Sequence, residues 1–164
     1  MAARSRCSHP FPGADIAIHV HLVDQPFNPG ALLGPFTNAH PGYGGLASFI
    51  GAVRADDDVR ALELLHYEKM TRPGMEARAE EAAHRFELLG LLVMHRHGVM
   101  EPGEPIVMVA ACAQHRRGAI AAVDYCMDHL KSDSWFWKRE LRGDGWHWIE
   151  PREQDHSDLA RWSK

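Results

Sequence analysis

The side chains best suited to chemistry lie where predicted secondary-structure elements begin or end. An apolar stretch over 49–53 finishes on Arg54, and His115, Arg116 and Arg117 open a predicted helix. A helix N-terminus already carries unpaired N–H groups and partial positive charge, so cationic residues there oppose the helix dipole. A bound anion such as phosphate would explain them. A solvated strand-end arginine and an ordinary surface cluster of charges are the alternatives.

A third cluster, over residues 131–140, combines lysines with aromatic side chains. Lys131 and Lys138 bracket Trp135, Phe136 and Trp137, where a predicted helix gives way to a strand. Aromatic walls beside lysines can stack a flat heterocycle, and burial with mutual repulsion lowers the pKa of a lysine. Lys131 could equally serve only to complement the dipole at a helix C-terminus. Composition alone leaves both interpretations open.

The 12 histidines of the chain raise the question of a metal site. His19 with His21, and His95 with His97, each place two imidazoles on one face of a predicted strand. Zinc requires three or four ligands in a fixed geometry, and neither H-E-x-x-H nor C-x-x-C occurs in the sequence. We therefore interpret these histidines as strand-surface residues and expect no metal. A metal-dependent hydrolase built on the two pairs is the main enzymatic alternative.

Periodic apolar patterns predict the strands that position these clusters. The predicted strands span 16–23, 46–53, 61–67, 91–97, 106–113, 135–141 and 146–150, of which 46–53 is interpreted as buried. Residues 1–14 are interpreted as a loose lead-in, and 25–45 as mostly loop with room for one short helix.

Two amphipathic helices are predicted among the strands. The first spans 72–89, with Thr71 as N-cap and Gly90 as its stop, and the second spans 116–130. The second helix has one apolar face, formed by Ile120, Val123, Met127 and Leu130. Strands outnumber helices and surround them, so the predicted fold class is α+β with a mixed sheet and two main helices, in a single domain over 15–164.

Composition narrows the classes of function. The net charge of −4 argues against a general nucleic-acid binder, so an anion site should be local. Neither a membrane-spanning apolar run nor a secretory leader is recognisable, so we expect no membrane association. The three cysteines, Cys7, Cys112 and Cys126, have no metal-type spacing, which indicates reduced thiols in a cytoplasm. We expect the last two to be small core residues.

Taken in order, the clusters resemble the molybdopterin synthase catalytic subunit family, from about Gly45 to Trp162. The motifs that carry the resemblance are F-I-G-A-V-R (49–54), L-x-L-L-H-Y-E (62–68), M-x-x-x-A (75–79), H-R-H-G (95–98), P-G-E (102–104), A-Q-H-R (113–116), M-D-x-L-K (127–131), F-W-K-R-E (136–140) and R-W (161–162). Each motif is weak alone, but A-x-H-R, L-K and F-W-K-R-E at these distances form a specific combination.

The resemblance implies an α/β-hammerhead fold, a homodimer and a sulfurtransferase that uses no cofactor. Its substrate would be cyclic pyranopterin monophosphate and its product the dithiolene of molybdopterin. Its partner would be a small ubiquitin-like sulfur-carrier subunit, whose C-terminal Gly-Gly thiocarboxylate enters a pocket on this chain. A non-enzymatic alternative is a binding module in which the lysines only capture the carboxylate of a partner's tail.

The resemblance also implies roles for individual residues. Lys131 and Lys138 match the essential lysines, and Phe49 and Met127 match pocket-lining positions. The implied substrate-binding positions are Ala52, Val53, Arg54, His115, Arg116, Lys131, Lys138, Arg139 and Glu140. Two features depart from the family: Ala52 replaces a residue that is often basic or polar, and the link over 55–61 is short and acidic.

Overall fold

The computed structural model describes residues 16–56, 58–133 and 135–163, and the lead-in predicted over 1–14 lies outside them. These described residues form two four-stranded sheets and four α-helices, so the predicted α+β class is confirmed. The strands are β1 Ala17–Val23, β2 Gly45–Ala52, β3 Ala61–His66, β4 Leu88–Arg96, β5 Gly98–Met100, β6 Pro105–Ala113, β7 Phe136–Arg142 and β8 Gly145–Ile149. The helices are α1 Pro29–Ala39, α2 Glu68–Arg85, α3 Arg116–Ser132 and α4 Glu153–Ala160, followed by a 3₁₀ turn over Arg161–Ser163.

The first sheet, with strand order β1-β4-β6-β2, contains the main core. β1 runs parallel to β4, whereas β4–β6 and β6–β2 are antiparallel pairs, so the predicted mixed sheet is confirmed. The two central strands are buried along most of their length, because α2 and α3 pack on one face and α1 packs on the other. Cys112 and Cys126 are both buried, as expected.

The second sheet, with strand order β5-β3-β7-β8, is antiparallel throughout. Its inner face forms a small core of Val53, Leu64 and Met100. Phe136, at the start of β7, packs against both this core and the main one. Phe136 therefore joins the two sheets close to the point where α3 leads into β7.

The predicted boundaries of the first helix were wrong at both ends. α2 begins at Glu68 after Tyr67 and ends at Arg85, before Glu87 takes a left-handed φ of 50°. Thr71 is not the N-cap, because its buried hydroxyl donates to the Trp135 carbonyl oxygen at 3.1 Å. Gly90 is not the stop either, since it lies in β4, where a Cβ would meet the ring of His40 at 2.3 Å.

Two further helices flank the predicted ones. The segment over 25–45, predicted as mostly loop with room for one short helix, contains the 11-residue α1, whose N-cap Asn28 accepts a hydrogen bond from the Ala31 N–H at 3.2 Å. The residues after β8, for which no element was predicted, form α4. They are anchored by Trp162, whose indole N–H donates to Asp128 Oδ2 at 2.6 Å and whose ring packs edge-on against Tyr125.

β2 is the strand whose predicted burial was wrong. It is an edge strand of the first sheet, and Phe49 and Ile50 are 42% and 45% exposed. Ile120, predicted to face the core from the second helix, is 59% exposed. Apolar patterning thus identified surface that a single copy of the chain leaves open. Within the part of the chain that the structure describes, no helix combines the length and apolarity needed to cross a membrane.

Candidate active site

The N-terminus of α3 presents three exposed basic side chains, His115, Arg116 and Arg117. His115 is the N-cap, its side chain makes no capping hydrogen bond, and the first turn of α3 contains no acidic residue. The helix therefore keeps its positive end without the carboxylate that usually complements it. This arrangement favours an anion as the missing partner.

Two glycines allow β2 to approach this helix end closely. The Gly44 N–H donates to the Ala113 carbonyl at 3.0 Å, and a Cβ on Gly45 would lie 2.6 Å from Cα of Arg116. Because the contacted atom is backbone, no side-chain movement can relieve it. The backbone path of β2 thus fixes where α3 starts.

Gly45→Ala is expected to destabilise the protein by about 1–3 kcal/mol, because the added methyl must displace the start of α3. Urea unfolding would measure this loss. Gly30→Ala is the matched control, since its Cβ would meet only a side-chain atom of Asn28 at 3.3 Å. A change of roughly 0.5 kcal/mol or less is expected there. Equal stabilities for the two variants would contradict the proposed backbone contact.

A second cationic site, which we call the lysine pocket, lies at the other end of α3 and consists of Lys131, Lys138, Phe136 and His95. Lys131 is exposed in the last turn of α3. Lys138 lies opposite Leu64 of β3 and Ile149 of β8, on the strand face that also carries Phe136. The ring of Phe136 stacks on that of His95, with centroids 4.1 Å apart. A helix end and two sheets therefore converge on this pocket.

The surroundings of Lys138 lower its pKa. Burial lowers the pKa of Lys138, the charge of Lys131 lowers it further, and the carboxylate of Asp155 opposes both effects. Asp155 belongs to α4, which is held to α3 by a 2.8 Å hydrogen bond from the Ser132 hydroxyl to the Asp155 carbonyl. Lys138 thus loses its proton more readily than an ordinary lysine.

The residues that follow Lys138 point in different directions. Arg139 lies on the opposite face of β7, where it pairs with Glu63 and lies over the rings of Trp146 at 4.7 Å and Trp148 at 5.6 Å. Glu140 returns to the face of Lys138 but pairs with Arg142 at 2.7 Å. The structure therefore brings the two lysines together and places Arg139 outside the lysine pocket.

The remaining predicted site residues lie along or beside β2. Arg54 and Ala52 are exposed, and Arg54 Nε lies 4.0 Å from a carboxylate oxygen of Asp56. Val53 is 5% exposed and packs in the small core, and its backbone N–H and carbonyl already bond to Glu104 and Gly103 at 3.0 and 2.8 Å. Phe49 is exposed, and Met127 is half-buried against the main core.

Within one chain, the two cationic sites lie at opposite ends of strand β2. Gly45 pairs with Ala113 just before α3, whereas Gly51 pairs with Val107, which pairs in turn with His95 of the lysine pocket. A strand advances about 3.3 Å per residue, so the two ends of β2 are roughly 23 Å apart. Arg54 therefore lies at the same end of β2 as the lysine pocket. Arg116 lies at the other end, far from Arg54 and from the lysines.

The paired histidines separate into different environments. His19 and His21 are exposed with parallel rings, as interpreted from the sequence. His95 is only 5% exposed, so its interpretation as a surface residue was wrong. His97 contacts His66, with ring centroids 4.3 Å apart. Among the described residues, no group of three or more histidine, cysteine or acidic side chains is arranged to hold a metal ion.

Residues 22–133 match the family described as MoaE protein. This chain belongs to the MoaE family. A molybdopterin synthase catalytic subunit from Caulobacter vibrioides is 45% identical over 146 residues, which cover 88% of this chain and 97% of the relative. A MoaE protein of molybdopterin biosynthesis from Burkholderia ambifaria has a similar structure, with a TM-score of 0.76, 37% identity, and coverage of 90% of this chain and 99% of that one.

A more distant MoaE-like fold occurs in a complex of subunits 1 and 2 of the molybdopterin-converting factor from Helicobacter pylori. Its TM-score is 0.67 at 18% identity, with coverage of 81% of this chain and 91% of that one, so the likeness shows the fold alone. The curated relatives are molybdopterin synthase catalytic subunits. The expected function, a sulfur-transferring subunit in molybdenum-cofactor synthesis, is confirmed by these MoaE relatives.

Sequence reasoning missed three residues around the lysines: His95, Ser132 and Asp155. His95 could have been recognised as a site residue, since it belongs to the H-R-H-G motif. Its spacing of two residues from His97 instead favoured the interpretation of both as strand-surface histidines. Asp155 had none, because its position depends on how α4 packs against α3.

Proposed function

We propose that this chain transfers sulfur from the thiocarboxylated C-terminus of a small carrier subunit to cyclic pyranopterin monophosphate, forming the molybdopterin dithiolene. The observation that supports this proposal most directly is the lysine pocket: a partly buried lysine beside an exposed one, in a MoaE-family chain. A thiocarboxylate and a phosphate are both anions, for which lysine and arginine are natural counter-ions. A cytoplasmic location is part of the same proposal.

The two lysines take different roles because their surroundings differ. Lys138 has a pKa lowered by burial and by Lys131, so its neutral amine can accept protons during sulfur transfer. Lys131 is exposed at the end of α3, so its side chain is placed to hold the thiocarboxylate and the developing oxyanion. Phe136 forms one wall of the pocket, since it packs against the core and shares a face of β7 with Lys138.

The phosphate site is proposed to form between two copies of the chain. Arg54 cannot meet His115 and Arg116 of its own chain, since β2 separates them by roughly 23 Å. In a twofold dimer, a residue i that contacts residue j of the other copy is matched by a second contact of j with i. Two β2 edges that meet in opposite directions would therefore bring the α3 start of each copy to the Arg54 end of the other. The exposed Phe49 and Ile50 on edge strand β2 supply apolar surface for such an interface.

Ile50→Asp is expected to shift the protein from dimer towards monomer, because a buried unpaired carboxylate opposes association. Sedimentation velocity at micromolar concentration would measure this shift. Val99→Asp is the matched control, since Val99 is also exposed but lies on β5 of the second sheet. A wild-type protein that sediments as a monomer would contradict the proposed dimer.

The proposed partner is a small sulfur-carrier subunit whose extended tail reaches the lysine pocket. The Helicobacter pylori relative, whose fold is shared, was solved as a complex of two subunits, which supports a two-subunit enzyme here. The binding-module alternative uses the same lysines to capture a tail without chemistry. Only turnover distinguishes the two, because both require tail binding.

Arg116→Ala is expected to weaken precursor binding by roughly tenfold to a hundredfold, the loss of one hydrogen bond to a charged group. Titration calorimetry would measure the affinity. Arg117→Ala is the matched control, because Arg117 carries the same charge one residue along α3 and should change affinity by about threefold or less. Equal effects of both variants would indicate a general charge effect rather than a phosphate contact.

The decisive test of the proposal mixes this chain, a thiocarboxylated carrier subunit and cyclic pyranopterin monophosphate, and assays dithiolene formation. Dithiolene that accumulates in proportion to carrier consumed supports sulfur transfer. Tail binding without product would leave the binding module as the better account. Activity that disappears with a chelator and returns with zinc would favour the metal-dependent hydrolase.

A further inference from the structure

His95 is a buried imidazole in the lysine pocket to which no role has yet been given. It lies near the end of β4, is 5% exposed, and stacks on Phe136 with an interplanar angle of 13°. Phe136 and Lys138 point to the same face of β7, two residues apart. The ring of His95 is thus held rigidly beside the strand that carries Lys138.

The hydrogen bonding of His95 fixes its tautomer. Nδ1 lies 2.9 Å from the backbone carbonyl oxygen of Arg96. A carbonyl oxygen only accepts, so Nδ1 carries the hydrogen and donates it. In the neutral ring Nε2 is then bare and can only accept. His95 therefore offers one acceptor atom, on the side of the ring away from Arg96.

The neutral form of His95 is strongly favoured by its surroundings. Burial lowers the pKa of His95 to about 4, and positive charge on Lys138, His97 or His66 acts in the same direction. Asp155 and Lys131 complete the charged groups that act on Lys138. His95 thus stays uncharged over the whole range in which the lysines work.

We propose that His95 is a positioning residue for Lys138, whose amine donates a hydrogen bond to the bare Nε2 of His95 and is thereby aimed into the pocket. This inference rests on the proposed role of Lys138. Among the described residues Lys138 makes neither an ion pair nor a hydrogen bond, to His95 or to any other group, so its flexible four-carbon side chain is free to turn its amine towards Nε2. A neutral acceptor orients the amine without adding charge to a pocket that must admit anions.

Two amide substitutions separate this role from a merely structural one. Glutamine places its amide oxygen near the position of Nε2, whereas asparagine places its amide near Nδ1 and can retain the bond to the Arg96 carbonyl. His95→Gln is therefore expected to keep most of the single-turnover rate, while His95→Asn loses about tenfold to a hundredfold. His95→Asn should also lower the pKa of Lys138 by about one pH unit, since the acceptor favours the ammonium form.

Lys138 can be titrated without substrate, by NMR of the ¹³C-methylated lysines or by pH-dependent labelling. The proposal is supported if the rate and the Lys138 pKa stay near their wild-type values in His95→Gln and both fall in His95→Asn. If His95→Asn behaves like wild type and His95→Gln does not, the role of His95 is its bond to the Arg96 carbonyl, and the proposal is overturned. Normal behaviour in both variants would overturn it as well.

A measurement on the unsubstituted side chain covers the case in which neither variant folds. The ¹⁵N signal of His95 Nε2 should lie upfield of a free pyridine-type nitrogen and move when Lys138 is replaced by Met. An Nε2 signal that is the same in wild type and Lys138→Met would overturn the proposal. These spectra need no turnover, so an inactive enzyme with the expected Nε2 signal would count against the proposed function and not against the contact.

Discussion

Lys138→Ala is expected to lower the single-turnover rate of dithiolene formation by roughly a hundredfold or more, the range for loss of a positioned general acid–base group. The physical reason is the lowered pKa of Lys138, which burial and Lys131 produce together. Burial disfavours the charged ammonium, so its removal should not lower the melting temperature. Carrier affinity should remain within about tenfold of wild type, because Lys131 keeps its charge.

The matched control for this substitution is Lys69→Ala, since Lys69 is exposed on α2 and lies in neither cationic site. Its rate should stay close to that of wild type. Lys131→Ala should also cut the rate by about a hundredfold. It should in addition shift the acidic, ascending side of the pH profile towards higher pH, because Lys138 acts in its neutral form and Lys131 helps to lower its pKa. Near-normal rates in both lysine variants would remove the catalytic assignment.

Mixing Lys138→Ala subunits with Arg116→Ala subunits is expected to restore activity to about a quarter of that of wild type, provided that subunits pair at random in a symmetric dimer. In each parent homodimer, both sites carry the substitution. In a mixed dimer, one site combines both lesions, and the other combines an intact lysine pocket with an intact α3 start. Half of the dimers are mixed and each has one working site. Single-turnover assays after co-expression would measure the recovery.

Lys131→Ala mixed with Lys138→Ala is the control, because both lesions lie in the same half of the site. Every site in those mixed dimers keeps one lesion, so no recovery is expected. If a single chain built the whole site, mixing Lys138→Ala with Arg116→Ala would also give no recovery. The comparison of the two mixtures therefore tests the shared phosphate site apart from the dimer itself.

The sequence by itself determined the elements with strong periodic patterns and the identity of the cationic groups. β4 and β6 are buried on both faces, so their apolar runs predicted β6 and the end of β4 to within one residue, although β4 begins three residues earlier than predicted. The start of α3 was predicted because cationic residues at a helix N-terminus are a local feature. Lys131 and Lys138 were predicted as neighbours because only a short junction separates a helix end from a strand.

Only the tertiary structure decided the features that depend on packing between distant segments. Threonine is favoured at N-caps, but the hydroxyl of Thr71 donates instead to the carbonyl of Trp135, 64 residues away. His95 has the spacing of a surface histidine, but Phe136 of the other sheet covers its ring. The same strand order that leaves β2 at an edge also separates Arg54 from Arg116. Local periodicity identifies which residues are apolar or charged, whereas what each of them meets is decided by segments far away in the chain.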